Sequence, residues 1–466
     1  MTTTVIRGGL VVTAAEEIHA DVLIEDGRIA ALADRRSAAA TAYTADREID
    51  ATGRYVLPGG VDAHTHMDFP FGGTFSSDDF ETGTRAAAWG GTTTIVDFAV
   101  QTKGRALREG LDRWHAKADG RCAVDYGFHM ILSDVNESTL KEMDALVGEG
   151  VTSFKMFMAY PDVFYSDDGQ ILRAMQRAAA NGGLPMVHAE NGIAIDVLVE
   201  QALAAGRTDP RHHGEVRKAL LEAEATHRAV QLARVAGSPV YIVHVSAQEA
   251  VEQLAAARGM DLPVFGETCP QYLYLSTDEL AEPDFGGAKY VCSTPLRPRE
   301  HQAALWRALR TDDLQVVSTD HCPFCFTGQK ELGRGDFSKI PNGMPGVEHR
   351  MDLLHQAVVD GKLSRRRWID LACATPARMF GLYPRKGTLA PGADADVVLY
   401  DPHAEQVLSA ETHHMNVDYS AYEGRRLTGR VETVLSRGET VLDRGTWTGR
   451  AGHGQYLPRG TCQFID

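Results

Sequence analysis

Between residues 57 and 385 the chain alternates short apolar, β-rich runs with helical patterns, and this alternation limits the possible folds more than any other feature. The expected strands are Val61–His66, Thr93–Phe98, Tyr126–Leu132, Ser153–Phe157, Pro185–Ala189, Val240–Val245, Val264–Thr268 and Val316–Asp320. Helical patterns separate most of them, among others Ile171–Ala180, Val216–Val235, Ala247–Ala257 and His301–Leu309. Eight strands alternating with helices predict an α/β fold, a (β/α)8 barrel of the TIM type, with a doubly wound open sheet as the competing architecture. The flanks read differently. Val22-Leu23-Ile24-Glu25 and Arg28-Ile29-Ala30 surround Asp26-Gly27, a hairpin signal, and Thr433–Ser436 pairs with Thr440–Leu442 across Arg437-Gly438. Residues 1–56 and 386–466 are therefore expected to form one small β-sandwich domain with a C-terminal tail, and 57–385 the barrel between them.

Polar residues at strand ends favour the barrel, where chemistry collects at the C-terminal ends of several strands. His64 and His66 stand two apart, so along a strand they face the same side and converge at its end, as two ligands for a transition metal would. Lys155 lies near the end of the fourth expected strand, His188 ends the fifth, His244 the sixth and Asp320 the eighth. Each alone has an ordinary explanation: a hydrogen-bonded core histidine, a lysine reaching to water, an aspartate capping the next helix. Six together, on five strands of one barrel, point to a metal centre.

Composition narrows the partners. Hydrophobic content of 44% and charged content of 24% are those of an ordinary soluble globular chain. A formal charge of −16 argues against nucleic acid and anionic membranes as main partners. The Met-Thr-Thr-Thr-Val-Ile-Arg start lacks the pattern of a signal peptide, and no apolar run reaches the length of a membrane span. Seven scattered cysteines, an odd number, fit a reducing cytoplasm, and Cys322 and Cys325 read as ordinary buried thiols. The pairs His212-His213 and His413-His414 read as surface residues outside the ligand set.

These motifs resemble the amidohydrolase superfamily and, within it, the hydantoinase/dihydropyrimidinase family. The resemblance covers nearly the whole chain. It rests on Leu57-Pro58-Gly59-Gly60-Val61-Asp62-Ala63-His64-Thr65-His66, Gly90-Gly91-Thr92-Thr93-Thr94, Phe154-Lys155 with Tyr160, and His188-Ala189-Glu190-Asn191. It continues through Ser293 with Pro295-Leu296-Arg297, Asp320-His321-Cys322-Pro323 and Pro341-Asn342-Gly343.

By that resemblance Lys155 is carboxylated by carbon dioxide to N6-carboxylysine and bridges two divalent metal ions, usually zinc. His64, His66 and Asp320 serve one metal, and His188 and His244 the other. Burial beside two cations favours the neutral lysine that captures carbon dioxide. Water between the cations ionises near neutral pH, and Asp320 shuttles its proton. Tyr160 is implied to meet the oxyanion, and Ser293 and Asn342 to bind the ring amides, largely through their backbones. Many relatives carry proline where this chain has Thr294, a departure that bears on the Ser293 loop and not on the metal ligands.

Two loops are expected around the ring substituent, one carrying Met67, Phe69 and Phe71, the other Phe157, Phe164 and Tyr165. The expected reaction opens a 5-substituted hydantoin or a 5,6-dihydropyrimidine to an N-carbamoyl amino acid. Allantoinase and dihydroorotase are the enzymatic rivals, and a hydantoinase-like scaffold without activity is the other alternative. The resemblance also implies a homotetramer or homodimer.

Overall fold

A computed structural model of the chain describes residues 2–34, 43–161 and 163–465. Eight parallel strands, each in its expected place, run Gly60–Thr65, Thr92–Val100, Asp125–Ile131, Ser153–Phe157, Leu184–His188, Val240–Ile242, Val264–Thr268 and Val316–Val317. They pair in sequence order, with no strand out of turn, as a barrel requires. Their residues are buried on both faces, which is why they read as continuous apolar runs rather than as alternating ones.

The seam between first and eighth strands is closed mainly by side chains. Thr65 bridges to His321, and the His66 N–H donates to the His321 carbonyl at 2.8 Å. Fully buried Arg350 donates to the carbonyls of Val61 and Val317 at 2.9 and 3.0 Å, one from each side. The Thr319 hydroxyl donates to Asp62 at 2.6 Å.

The helix Asp168–Asn181 illustrates why these segments fold outside the barrel. Asp167 and Gln170 form a reciprocal capping box, Ile171, Ala174, Met175 and Ala178 bury one face, and Gly182 ends the helix at φ 78°. One expected helix is corrected. Val216–Val235 is two helices, Arg211–Val216 and Ala219–Ala236, because the backbone leaves helical geometry at Arg217. There the Arg217 side chain turns inward to Glu190, and its carbonyl accepts from buried Arg297.

The flanks meet in a second, ten-stranded sheet of strands from both ends of the chain. It has an apolar cluster of its own that includes Val22, Ile24, Val56, Val397 and Leu435. Both expected hairpins form, with Asp26-Gly27 at φ 47° and 76° and Arg437-Gly438 at 47° and 78°. The two turns touch: a Cβ on Gly27 would stand 2.6 Å from the Arg437 carbonyl oxygen. The tail then runs under the barrel, where Arg459 donates to the Phe128 carbonyl at 2.6 Å and to Ser153 at 2.8 Å. Among the described residues no helix is long and apolar enough to cross a membrane.

Candidate metal and active site

Two expected strands end early, and both endings serve the site. The sixth stops at Ile242 and the eighth at Val317, short of His244 and Asp320. These two residues instead take positive φ, 40° and 50°, which few non-glycine residues adopt and which redirects both side chains into the barrel mouth. His64 Nε2 stands 3.2 Å from His66 Nε2 and 3.1 Å from an Asp320 oxygen, and that oxygen is 3.3 Å from His66 Nε2. The Lys155 amine is 3.0 Å from His64 Nε2. Tetrahedral bonds of about 2.0–2.1 Å place neighbouring ligand atoms roughly 3.3 Å apart, so the spacing of the first three atoms suits one metal ion. His188 and His244 make a second group, with Nδ1 of the first 2.9 Å from Nε2 of the second. The donor set therefore fits the metals implied by the sequence.

Two buried carboxylates orient these rings. Glu267 accepts from His64 Nδ1, leaving the Nε2 lone pair aimed at the cluster, and it also accepts from the His244 N–H and the Tyr241 hydroxyl. Glu190 accepts from His188 Nε2 at 2.8 Å, leaving Nδ1 to face His244. Burial works against the Glu190 carboxylate, but Arg217 at 2.7 Å, His188 and Arg297 together outweigh it and hold the pKa well below the usual range. Burial lowers Lys155 to about 8, with Asp320 and Glu267 opposing the shift, so a neutral amine is accessible near physiological pH. Burial also pushes His66 down to about 3, keeping its imidazole neutral.

The cavity above these groups is lined by His66, Lys155, His188, His244 and Asp320 on its floor. Tyr160, Ser293 and Asn342 stand together on one wall: the Asn342 amide donates to the Ser293 hydroxyl at 3.1 Å and to the Tyr160 hydroxyl at 3.4 Å. Burial pushes Tyr160 up to about 12, so it remains a donor. Its backbone sits at φ 62°, and its carbonyl accepts from Val163, Phe164 and Tyr165, which folds the following loop back over the mouth. Among the described residues, the backbone N–H and C=O groups of Ser293 and Asn342 have no protein partner. The Thr294 hydroxyl donates to the His244 carbonyl at 3.0 Å, an anchor that proline could not supply. Beside this wall, in contact with Tyr160, lies an aromatic wall. Phe157 and Phe164 stack at 5.1 Å, Phe71 and Phe164 at 6.4 Å, and Phe69 meets Phe164 at 6.1 Å.

Comparison with known proteins settles the family. The amidohydrolase family pattern matches residues 55–441. A D-hydantoinase of Streptomyces coelicolor is 80% identical over 462 residues, 99% of each chain. A D-hydantoinase of Geobacillus stearothermophilus is 50% identical, over 98% of this chain and 96% of its own. Among solved structures, a dihydropyrimidinase from Brevibacillus agri superposes with a TM-score of 0.96 at 49% identity, covering 99% of both chains. This chain is an amidohydrolase. Within the family it belongs to the hydantoinase/dihydropyrimidinase branch.

All twelve site residues named from the amidohydrolase's sequence lie in or directly beneath this one mouth. Met67 and Tyr165, expected in the loop walls, do not line it: Met67 is buried against Gly83, and Tyr165 pairs backbone to backbone with Phe157. His213 is not a surface residue. It is buried, donates to the Cys292 carbonyl at 2.8 Å, and is pushed down to about 3 chiefly by burial. His413 and His414 are half-buried, and His414 stacks on Trp89 at 3.6 Å. Cys325 is only half-buried, whereas Cys322 is buried and lines the cavity. Sequence reasoning missed the roles of Glu190, Glu267 and Arg217. The available signal was a lone acid within an apolar strand, Val264-Phe265-Gly266-Glu267-Thr268.

Proposed function

We propose that this amidohydrolase opens the ring of 5-substituted hydantoins or 5,6-dihydropyrimidines, giving N-carbamoyl amino acids. The observation that carries the reading is the convergence of His64, His66, Asp320, Lys155, His188 and His244 beneath a cavity with an apolar wall and a polar wall. Two divalent ions held there, zinc by preference and bridged by carboxylated Lys155, would polarise the ring carbonyl and make water nucleophilic near neutral pH. His64, His66 and Asp320 would hold one ion, and His188 and His244 the other. The backbone groups of Ser293 and Asn342 would pair with the adjacent N–H and C=O groups of the ring. The Tyr160 hydroxyl would donate to the carbonyl oxygen as it gains charge. Asp320 would take a proton from the attacking water and return it to the ring nitrogen as the C–N bond breaks.

Phe69, Phe157 and Phe164 would receive the ring substituent. Their apolar faces favour alkyl and aryl groups over the polar ureido group of allantoin. The D-hydantoinase relatives support D selectivity. A homotetramer or homodimer acting in the cytoplasm completes the reading. The test is metal analysis of the purified chain with kinetics on hydantoin, phenylhydantoin, dihydrouracil and allantoin, using both enantiomers where they exist. Two metal ions per chain and preferred turnover of the D-aryl hydantoin are expected. A metal-replete chain that opens none of the rings would fit a scaffold instead.

A further inference from the structure

Lys330 is fully buried beside the polar wall of the cavity, and no carboxylate pairs with it among the described residues. Its ammonium group donates instead to three backbone carbonyls, those of Val291, Pro341 and Gly343, at 2.8, 2.7 and 2.8 Å. That uses all three of its protons. The acceptors are not scattered. Val291 is two residues before Ser293, and Pro341 and Gly343 flank Asn342. The Gly343 N–H also donates to the Val291 carbonyl at 3.0 Å, so the two segments are already neighbours and Lys330 locks both. In a trans peptide the C=O and the following N–H point in opposite directions. With the Pro341 carbonyl turned to Lys330, the Asn342 N–H is turned away from it and left without a protein partner.

We propose that Lys330 is a positioning residue for ring binding: its ammonium group fixes the two backbone segments that present Ser293 and Asn342 to the substrate. The assignment rests on the reading of this cavity as a cyclic-ureide site. It explains an otherwise costly arrangement, since burial, opposed by Cys292 and Cys322, pulls the Lys330 pKa down to about 7, and no carboxylate pairs with it among the described residues. A neutral amine would keep only two donors, and methionine none. Lys330 touches neither the metal-ligand cluster nor the aromatic wall, so its effect should fall on groups common to every ring substrate.

Lys330→Met and Lys330→Gln, as metal-replete full chains, are compared with the unaltered chain on hydantoin, phenylhydantoin and dihydrouracil. The Met variant should keep its metal content and remain folded at the assay temperature. Its KM should rise at least about tenfold on all three rings, with kcat changing less and the preference among rings unchanged. The Gln variant should fall between. A folded, metal-replete Met variant with unaltered KM overturns the assignment, and so does a loss confined to kcat. Failure of both variants to fold overturns it too, because Lys330 would then be a requirement of the fold and not of ring binding. If the unaltered chain turns over none of the rings, the hydrolase reading fails and the role of Lys330 falls with it.

Discussion

Lys155 and Lys386 are both buried, one beneath the barrel mouth and one at its base, and their surroundings are opposites. Lys386 meets the carboxylates of Asp125, Asp394 and Asp396 at 2.6, 3.0 and 2.9 Å, and Arg437 joins the same cluster through Asp125. These groups tie the third barrel strand to the sheet built from the chain ends, and every charge has a partner. Lys155 has no salt bridge among the described residues. It faces His64 Nε2 at 3.0 Å and lies 4.3 Å from the Phe98 ring centre. A satisfied cluster holds two parts of a fold together. An unsatisfied one, with lone pairs converging on a point, is incomplete until something binds. Buried charge by itself therefore says little about function, and the state of its partners says much.

Substitution at the mouth should break this contrast most sharply. If Lys155 bridges two metals as proposed, Lys155→Ala should lower turnover at least about a thousandfold. Thermal unfolding should change little, since few native hydrogen bonds are lost. Short carboxylic acids added to the variant should restore part of the rate, and wild-type turnover and metal content in the variant would refute a bridging role. Asp320→Asn should keep much of the metal yet lose about 10²- to 10⁴-fold in kcat, because an amide cannot shuttle the proton. Full turnover in a metallated Asp320→Asn chain would exclude that role.

The base should respond in the opposite sense. Lys386→Met removes the cation shared by three buried carboxylates, leaves Asp396 without a charged partner, and should cost about 3–5 kcal/mol of stability, read from urea unfolding. Turnover should persist wherever the variant is folded. Acid sharpens the same point. Burial raises the Asp394 carboxyl, but Lys386 and Arg385 outweigh it and hold its pKa below the ordinary range. Its contribution to stability is thus complete above about pH 3.9 and disappears as pH falls through the depressed value. Unfolding below pH 4 should therefore be steeper in the unaltered chain than in Lys386→Met. Equal acid profiles would mean that the cluster contributes nothing.

The two lysines were not equally legible. The eight strands could be read from alternating composition, and the six candidate positions that converge at the mouth from their recurrence at strand ends, because both signals are local in the chain. Lys386 carried no local signal, since its partners come from residue 125 as well as from residues 394 and 396. Glu267 was obscured for the same reason: it supports His64 on a strand 203 residues away. The break at Arg217 and the burial of His213 were hidden by a helical pattern that continues through them. The early ends of the sixth and eighth strands depend on positive φ at His244 and Asp320, which no propensity scale assigns to histidine or aspartate in a strand.

The smallest expected effect separates the cavity walls from both lysines. Phe164 lies at the centre of the aromatic wall, against Phe157, Phe69 and Phe71, and its side chain is neither a metal ligand nor a member of the base cluster. On the proposed reading the metal-bound groups would act on atoms present in every cyclic ureide and would not distinguish ring substituents, whereas the wall would. Phe164→Ala should leave metal content unchanged while shifting the kcat/KM ratio of phenylhydantoin to dihydrouracil by about 1–3 kcal/mol, tenfold to a couple of hundredfold. Parallel kinetics on both substrates and both enantiomers provide the measurement. A uniform loss with an unchanged ratio would mean that the aromatic wall only packs the loops. Selectivity would then have to be sought in the Ser293 and Asn342 segments, where the neighbouring side chain is Thr294.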